Sequence, residues 1–189
     1  MRSYWPGTRV WGLGGPDLEK AGAQLIAGLD QLAVMGFAEV LGRLRFFRDL
    51  EQQLRKRMAQ GEADLVLAVD YPGLNLRLAR YARSLGIPVV YYIAPQVWAW
   101  KAHRASQLAR DADEVAVILP FEEEVLRRAG ASVRFVGHPL MDRAPLAKGA
   151  GARLREELGV AADERLLAVL PGSRRQELER HLQVFVEAA

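Results

Sequence analysis

Apolar positions along the chain fall into two periods. Four short runs are almost continuously apolar: Leu65–Val69 (LVLAV), Val89–Ile93 (VVYYI), Glu114–Leu119 (EVAVIL) and Leu166–Leu170 (LLAVL). Their Val, Leu and Ile content and lack of alternation predict parallel strands covered on both faces. Val10–Leu13 and Val133–Val136 are shorter runs of the same kind. Between the runs, apolar residues recur at helical spacing. Asn75–Leu85 gathers Leu78, Ala79, Ala82 and Leu85, with Asn75 as N-cap, Gly86 beyond the C-terminus and Pro88 opening the next strand. Lys101–Ala112 gathers Ala105, Leu108, Ala109 and Ala112. Phe121–Ala129 starts with Glu122, Glu123 and Glu124 and ends with Arg127 and Arg128, an order that suits the helix dipole, and Gly130 stops it. The strand starts at Leu65, Val89 and Glu114 are 24 and 25 residues apart, the spacing of βαβ units. The pattern predicts a doubly wound α/β domain. Met141–Gly151 (MDRAPLAKGAG) reads as a linker, followed by a short helix, Ala152–Leu158, and by a strand, Leu166–Leu170, of a second domain.

One helix stands apart. Met35–Met58 places Phe37, Val40, Leu41, Leu44, Phe47, Leu54 and Met58 at helical spacing and carries Arg43, Arg45, Arg48, Arg55, Lys56 and Arg57. A basic amphipathic helix lies on an anionic membrane surface, and the same pattern describes a core-packing helix with a solvated face.

Composition narrows the classes. There is no cysteine, which removes disulfides, thiolate-held zinc and thiol catalysis and fits a reducing compartment. The net charge is +3, with 22 Arg against 4 Lys, too mild to argue for a nucleic-acid partner. No 18-residue apolar run is present and the N-terminus lacks an apolar signal core, so the expectation is a cytoplasmic chain with only peripheral membrane contact. No His/Asp/Glu grouping has metal-ligand spacing, so no metal or cofactor is expected.

Four segments carry candidate chemistry. Asp70, in VDYPGLN, ends a buried strand, where open α/β sheets bind ligands; its carboxylate either accepts a proton or caps the following turn. Asn75 is a cap first and a ligand contact second. In IAPQVWAWK, Gln96, Trp98 and Trp100 offer an amide and two broad aromatic faces suited to a sugar or acyl site, or to packing the loop onto the core. His138, in VGHPL, follows a strand and precedes the linker, where it serves structure or faces a cleft; His103 and His181 read as surface residues. PGSRRQE is a strand–loop–helix junction without the GK[ST] of a Walker A loop. Ser173 and the loop N–H groups suit a phosphate, with Arg174 as bidentate cation; the bland alternative is a turn with exposed arginines. GLGGP (Gly12–Pro16) lacks GxGxxG spacing and reads as a turn. GxSxG, HExxH and protein-kinase motifs are absent.

Taken in order, GLGGPDLEKAG, LAVMGFAEVLGRL, VDYPGLNLRLA, YYIAPQVWAWK, ILPFEEEVL, FVGHPL and LAVLPGSRRQE resemble lipid-A-disaccharide synthases, GT-B glycosyltransferases of bacterial outer-membrane biogenesis. One departure is Gly73, where many relatives carry a second Asp. The resemblance implies a Rossmann-like parallel sheet with helices on both faces over residues 1–145, the acceptor side. It also implies a linker and the start of a UDP-sugar-binding domain over 146–189. It implies transfer of 2,3-diacylglucosamine from UDP-2,3-diacylglucosamine to the 6-hydroxyl of lipid X, with inversion and release of UDP. Asp70 or His138 would be the base, Ser173 and Arg174 would meet the donor diphosphate, and Asn75, Gln96 and Trp98 would line the acceptor pocket. Because both substrates are acylated, Phe37, Leu41, Arg43, Arg45 and Phe47 become the expected contacts with the anionic inner face of the inner membrane, with self-association left open. Family members begin with a strand and a GExSGD-type loop that this sequence does not show. The expectation is therefore a central piece of the enzyme with little transferase activity of its own. A MurG-like transferase, a UDP-GlcNAc 2-epimerase-like enzyme and a non-catalytic membrane-binding module are the alternatives.

Overall fold

The computed structural model describes residues 6–32, 37–96, 103–143, 149–161, 163–173 and 175–189, with backbone only at 30, 37–43 and 143. The chain divides into two compact units, Met1–Pro139 and Leu140–Ala189. The architecture is α/β, with parallel sheets and helices on both faces.

The first unit runs β1 (Trp11–Gly14), α1 (Pro16–Lys20), β2 (Gln24–Gly28), α2 (Leu29–Leu32), α3 (Phe37–Ala59), β3 (Val66–Val69), α4 (Pro72–Ser84), β4 (Val89–Tyr92), α5 (His103–Asp111), β5 (Glu114–Val117), α6 (Pro120–Arg128) and β6 (Val133–Phe135). A 3-10 turn, Pro139–Arg143, starts at the boundary. The second unit holds α7 (Ala150–Leu158) and α8 (Arg175–Ala188).

Strands β3, β4, β5 and β6 form one parallel sheet in chain order, and β1 and β2 pair in a separate parallel ladder. In the four-stranded sheet Val69 lies opposite Tyr92, Tyr92 opposite Ala116 and Val117 opposite Phe135. This register brings the carboxyl ends of β3, β4 and β5 to one edge. One face of the sheet presents Ala68, Val89, Tyr91, Val115 and Val117, all buried, in one core with Leu74, Leu78 and Ala82 of α4, Leu108 of α5 and Leu126 of α6. Full burial of a Leu or Val side chain contributes about 1.5–3 kcal/mol, so this layer dominates the stability of the unit.

The helices start and stop for local reasons. Pro72 and Pro120 sit in the first turns of α4 and α6, where a missing N–H costs no bond. The Glu122 carboxylate accepts from the N–H of Leu119 (3.1 Å) and caps α6. Gly86 and Gly130, at φ +73 and +86, end α4 and α6 in a left-handed conformation that a side chain would oppose.

The structure departs from the sequence expectations in five places. No ladder forms at Leu166–Leu170: a strand needs a partner for its N–H and C=O groups, and no described residue supplies one. Gln24–Gly28 is a strand that its short apolar run did not announce. Gly12–Gly14 belong to β1 rather than to a turn, and Gly15 caps α1. At Gly14 an added Cβ would stand 2.5 Å from Leu18 Cδ2, so this glycine lets α1 pack close. Asn75 is not an N-cap, because α4 begins at Pro72 behind Tyr71. Finally, burial alternates along β3: Ala68 is buried while Leu67 and Val69 are 47% and 45% exposed. Among the described residues β3 is the edge strand of its sheet, with a neighbour on one flank only. Of the expected linker Met141–Gly151, residues 141–143 end the 3-10 turn Pro139–Arg143 and α7 already begins at Ala150, while residues 144–148 lie outside the described residues.

Candidate active site

At the carboxyl edge of the sheet is a cavity of about 260 Å³ lined by residues following three strands. Asp70 and Pro72 follow β3. Ile93, Ala94, Pro95 and Gln96 follow β4. Ile118, Leu119 and Glu122 follow β5, and Arg104 enters from the first turn of α5. The walls are largely apolar, with Asp70, Gln96, Arg104 and Glu122 as polar groups. This is the combination that binds small ligands with a defined orientation, placed where open parallel sheets carry their sites.

The backbone around the cavity is unusual. Asp70, Tyr71 and Ile93 have φ of +46, +45 and +60, a region that costs an L-residue about 1–3 kcal/mol. All three stand just beyond β3 or β4. The ladder continues through them: Asp70 N–H donates to the Tyr92 carbonyl (2.9 Å) and Ile93 N–H to that of Ala116 (3.0 Å). Strained residues gathered at a cavity point to a function, because a fold without one relaxes such positions.

Asp70 is exposed and lines the cavity, as its position after a strand predicted. Asn75 is placed differently from the sequence expectation. Its Nδ2 donates to the carbonyls of Val69 (3.0 Å) and Asp70 (2.7 Å), so the amide is committed to backbone rather than to the pocket lining. The fully buried Tyr91 donates its hydroxyl to the Asp70 carbonyl (2.8 Å). Burial pushes the Tyr91 phenol well above its usual range, the Asp70 charge adds to this, and Arg104 opposes it. Tyr71 is also raised, by burial first, with Arg77 acting against it.

Gln96 lines the cavity and is exposed. His138 is half-buried in the first unit and is not among the residues lining the cavity. His103 and His181 are exposed, as expected. Trp98, Trp100 and Arg174 lie outside the described residues. Ser173 is exposed in the second unit, and its N–H donates to the Glu177 carboxylate (3.0 Å). The loop amide reserved in sequence for a phosphate is thus occupied by a carboxylate of the following helix. Among the described residues, no group of three or more His, Asp or Glu side chains is arranged to hold a metal ion.

For α3, the side chains of Phe37, Leu41 and Arg43 are outside the described set. Leu44, Arg45 and Arg48 are exposed, and Phe46 and Phe47 meet edge-to-face at 5.4 Å. Leu50, Leu54 and Met58 are buried in the core. Arg55 pairs with Glu51 (2.6 Å) and lies over the Tyr81 ring; Arg57 pairs with Glu62 (2.7 Å) and lies over the Trp11 ring. The carboxyl half of the helix is therefore a packing element, which removes Leu54 and Met58 from any membrane face. Among the described residues, no helix is long and apolar enough to cross a membrane.

Sequence reasoning missed Arg104, Glu122 and Tyr91. Arg104 carried a signal, standing in the first turn of a helix that follows a strand. Glu122 read only as a dipole-matching charge, and Tyr91 only as an apolar strand residue.

The fold and cavity define an α/β protein with a candidate ligand site at the carboxyl edge of a parallel sheet. The family model described as Lipid-A-disaccharide synthetase matches residues 1–189, and the chain belongs to that family. It is 40% identical over 190 residues to Lipid-A-disaccharide synthase 1 of Legionella pneumophila (strain Paris), covering 100% of this chain and 49% of that protein. It is 45% identical over 184 residues to the lipid-A-disaccharide synthase of Syntrophus aciditrophicus (strain SB), covering 97% and 48%. The corresponding protein of Anaeromyxobacter dehalogenans (strain 2CP-C) is 44% identical over 184 residues, with the same coverage. The chain spans about half the length of these relatives.

Proposed function

We propose that the first unit is the acceptor side of a glycosyltransferase that joins two acylated glucosamines, taking 2,3-diacylglucosamine from its UDP carrier to lipid X. Family membership supports the reaction class. The observation that carries the site is the carboxylate of Asp70 on a mostly apolar cavity beside Gln96 and Arg104. Asp70 accepts the proton of the acceptor 6-hydroxyl as that oxygen attacks the donor's anomeric carbon; the bond to UDP breaks and the configuration inverts. Gln96 and Arg104 bind the acceptor's polar groups, and the apolar wall takes its sugar face. Ser173 and Arg174 of the second unit meet the departing diphosphate, for which the Glu177 carboxylate must give up the Ser173 N–H. His138, the other candidate base, does not line this cavity. The exposed Leu44, Arg45 and Arg48 of α3 touch the anionic surface of the inner membrane on its cytoplasmic face, where acylated substrates reside.

The test is UDP release from the two acylated substrates by the gene product expressed from its own locus. Asp70→Asn lowers turnover about 10²–10⁴-fold with acceptor affinity changed only a few-fold. Unchanged turnover would remove Asp70 as the base. In liposome sedimentation, Arg43, Arg45 and Arg48 changed together to Glu release the protein from anionic vesicles; unchanged binding counts against the membrane helix.

A further inference from the structure

The turn after β3 is held from two sides. Asp70 and Tyr71 are consecutive residues at positive φ, and neither is glycine, so the conformation has to be imposed by neighbours. On one side the Asn75 amide, from the first turn of α4, bonds the carbonyls of both Val69 and Asp70. On the other, Tyr91 reaches across from β4, and its hydroxyl gives the Asp70 carbonyl a second donor. Tyr91 is fully buried and stands opposite Ala68 in the ladder, so its ring has no freedom to follow a relaxed turn. The Asn75 and Leu74 N–H groups bond the Tyr71 carbonyl (3.1 and 3.3 Å), which ties the turn to the helix start. The result is a reversal within two residues that leaves the Asp70 side chain on the cavity.

We propose that Tyr91 and Asn75 are positioning residues: together they lock the left-handed Asp70–Tyr71 turn and thereby fix the Asp70 carboxylate against the bound acceptor. The inference rests on the reading of Asp70 as the group that meets the acceptor hydroxyl. Neither positioning residue touches substrate. Ile93 serves as an internal control, because it has positive φ at the same cavity but lies beyond the end of β4, where its N–H continues the ladder to Ala116.

The experiment uses isotope-labelled protein and reads one-bond Cα–Hα couplings, which fall at positive φ, with Cα and Cβ shifts at Asp70, Tyr71 and Ile93. Wild type shows the positive-φ signature at all three. Tyr91→Phe, which keeps the buried ring, and Asn75→Ala each move Asp70 and Tyr71 toward averaged values and leave Ile93 unchanged. Retention of the signature at Asp70 and Tyr71 in both variants overturns the proposal. A second arm titrates glucosamine 1-phosphate. Tyr91→Phe weakens it about three- to tenfold, the size of one hydrogen bond. The double variant with Asp70→Asn loses no more than Asp70→Asn alone, because Tyr91 acts through Asp70. Additive losses overturn the positioning role. If wild type does not bind this probe, the acceptor reading of the cavity fails, and the couplings alone decide whether Tyr91 and Asn75 hold the turn.

Discussion

Asp113 shows how one side chain ties a helix, a strand and a pH response together. Its carboxylate accepts from the Val89 N–H (2.8 Å) at the start of β4 and from Arg83 at the end of α4. The Val89 bond holds its pKa below the usual carboxylate range, the small burial acts against this, and Arg83 adds to the lowering. A depressed folded-state pKa gives stability that is present above the unfolded value and lost as pH falls through the folded one. Wild type therefore loses part of its stability below about pH 4, and Asp113→Asn flattens that acid limb; equal acid limbs would contradict it. Tyr91 works in the opposite direction. Its raised pKa favours the protonated phenol in the fold, so stability present below pH 10 is lost above it, and Tyr91→Phe removes that alkaline loss. Gly73 offers a third residue-scale test. It lies in the first turn of α4 at ordinary φ, and an added Cβ meets nothing within 4 Å. Gly73→Ala stabilises by about 0.5–1 kcal/mol, raising the melting temperature by about 1–4 °C; a drop would show strain at this turn.

At the scale of elements, legibility followed the period of the pattern. Helices α4, α5 and α6 and strands β3, β4 and β5 were readable because each has a long apolar stripe or a run bounded by Gly or Pro. Strand β2 was not, since QLIAG is brief and gains its identity only by pairing with β1. The run at Leu166–Leu170 reads as a strand, yet ladders are tertiary objects and none forms there among the described residues. Asp70 was legible from its place after a strand. The turn that presents it was not, because positive φ at Asp and Tyr is set by Asn75 and Tyr91 rather than by local propensity. The core makes its own prediction. Leu108 of α5 is only 1% exposed, so Leu108→Ala costs about 2–5 kcal/mol in denaturant unfolding; a loss under 1 kcal/mol would mean that the helix is not seated on the sheet as described.

For the whole molecule, the first unit brings the carboxyl ends of β3, β4 and β5 to one edge and builds its only strained non-glycine residues among those described at that edge. On the proposed reading this edge is the acceptor side of the family's reaction, and the cavity there is lined by Asp70, Gln96, Arg104 and Glu122. The most direct test is a chemical-shift titration of labelled protein with a water-soluble, short-acyl analogue of 2,3-diacylglucosamine 1-phosphate. Saturable shifts at Asp70, Ile93, Gln96 and Leu119 that weaken or vanish in Arg104→Ala are the predicted result. Shifts that cluster away from the carboxyl edge of the sheet, or none at all, would contradict the assignment of this cavity to the acceptor.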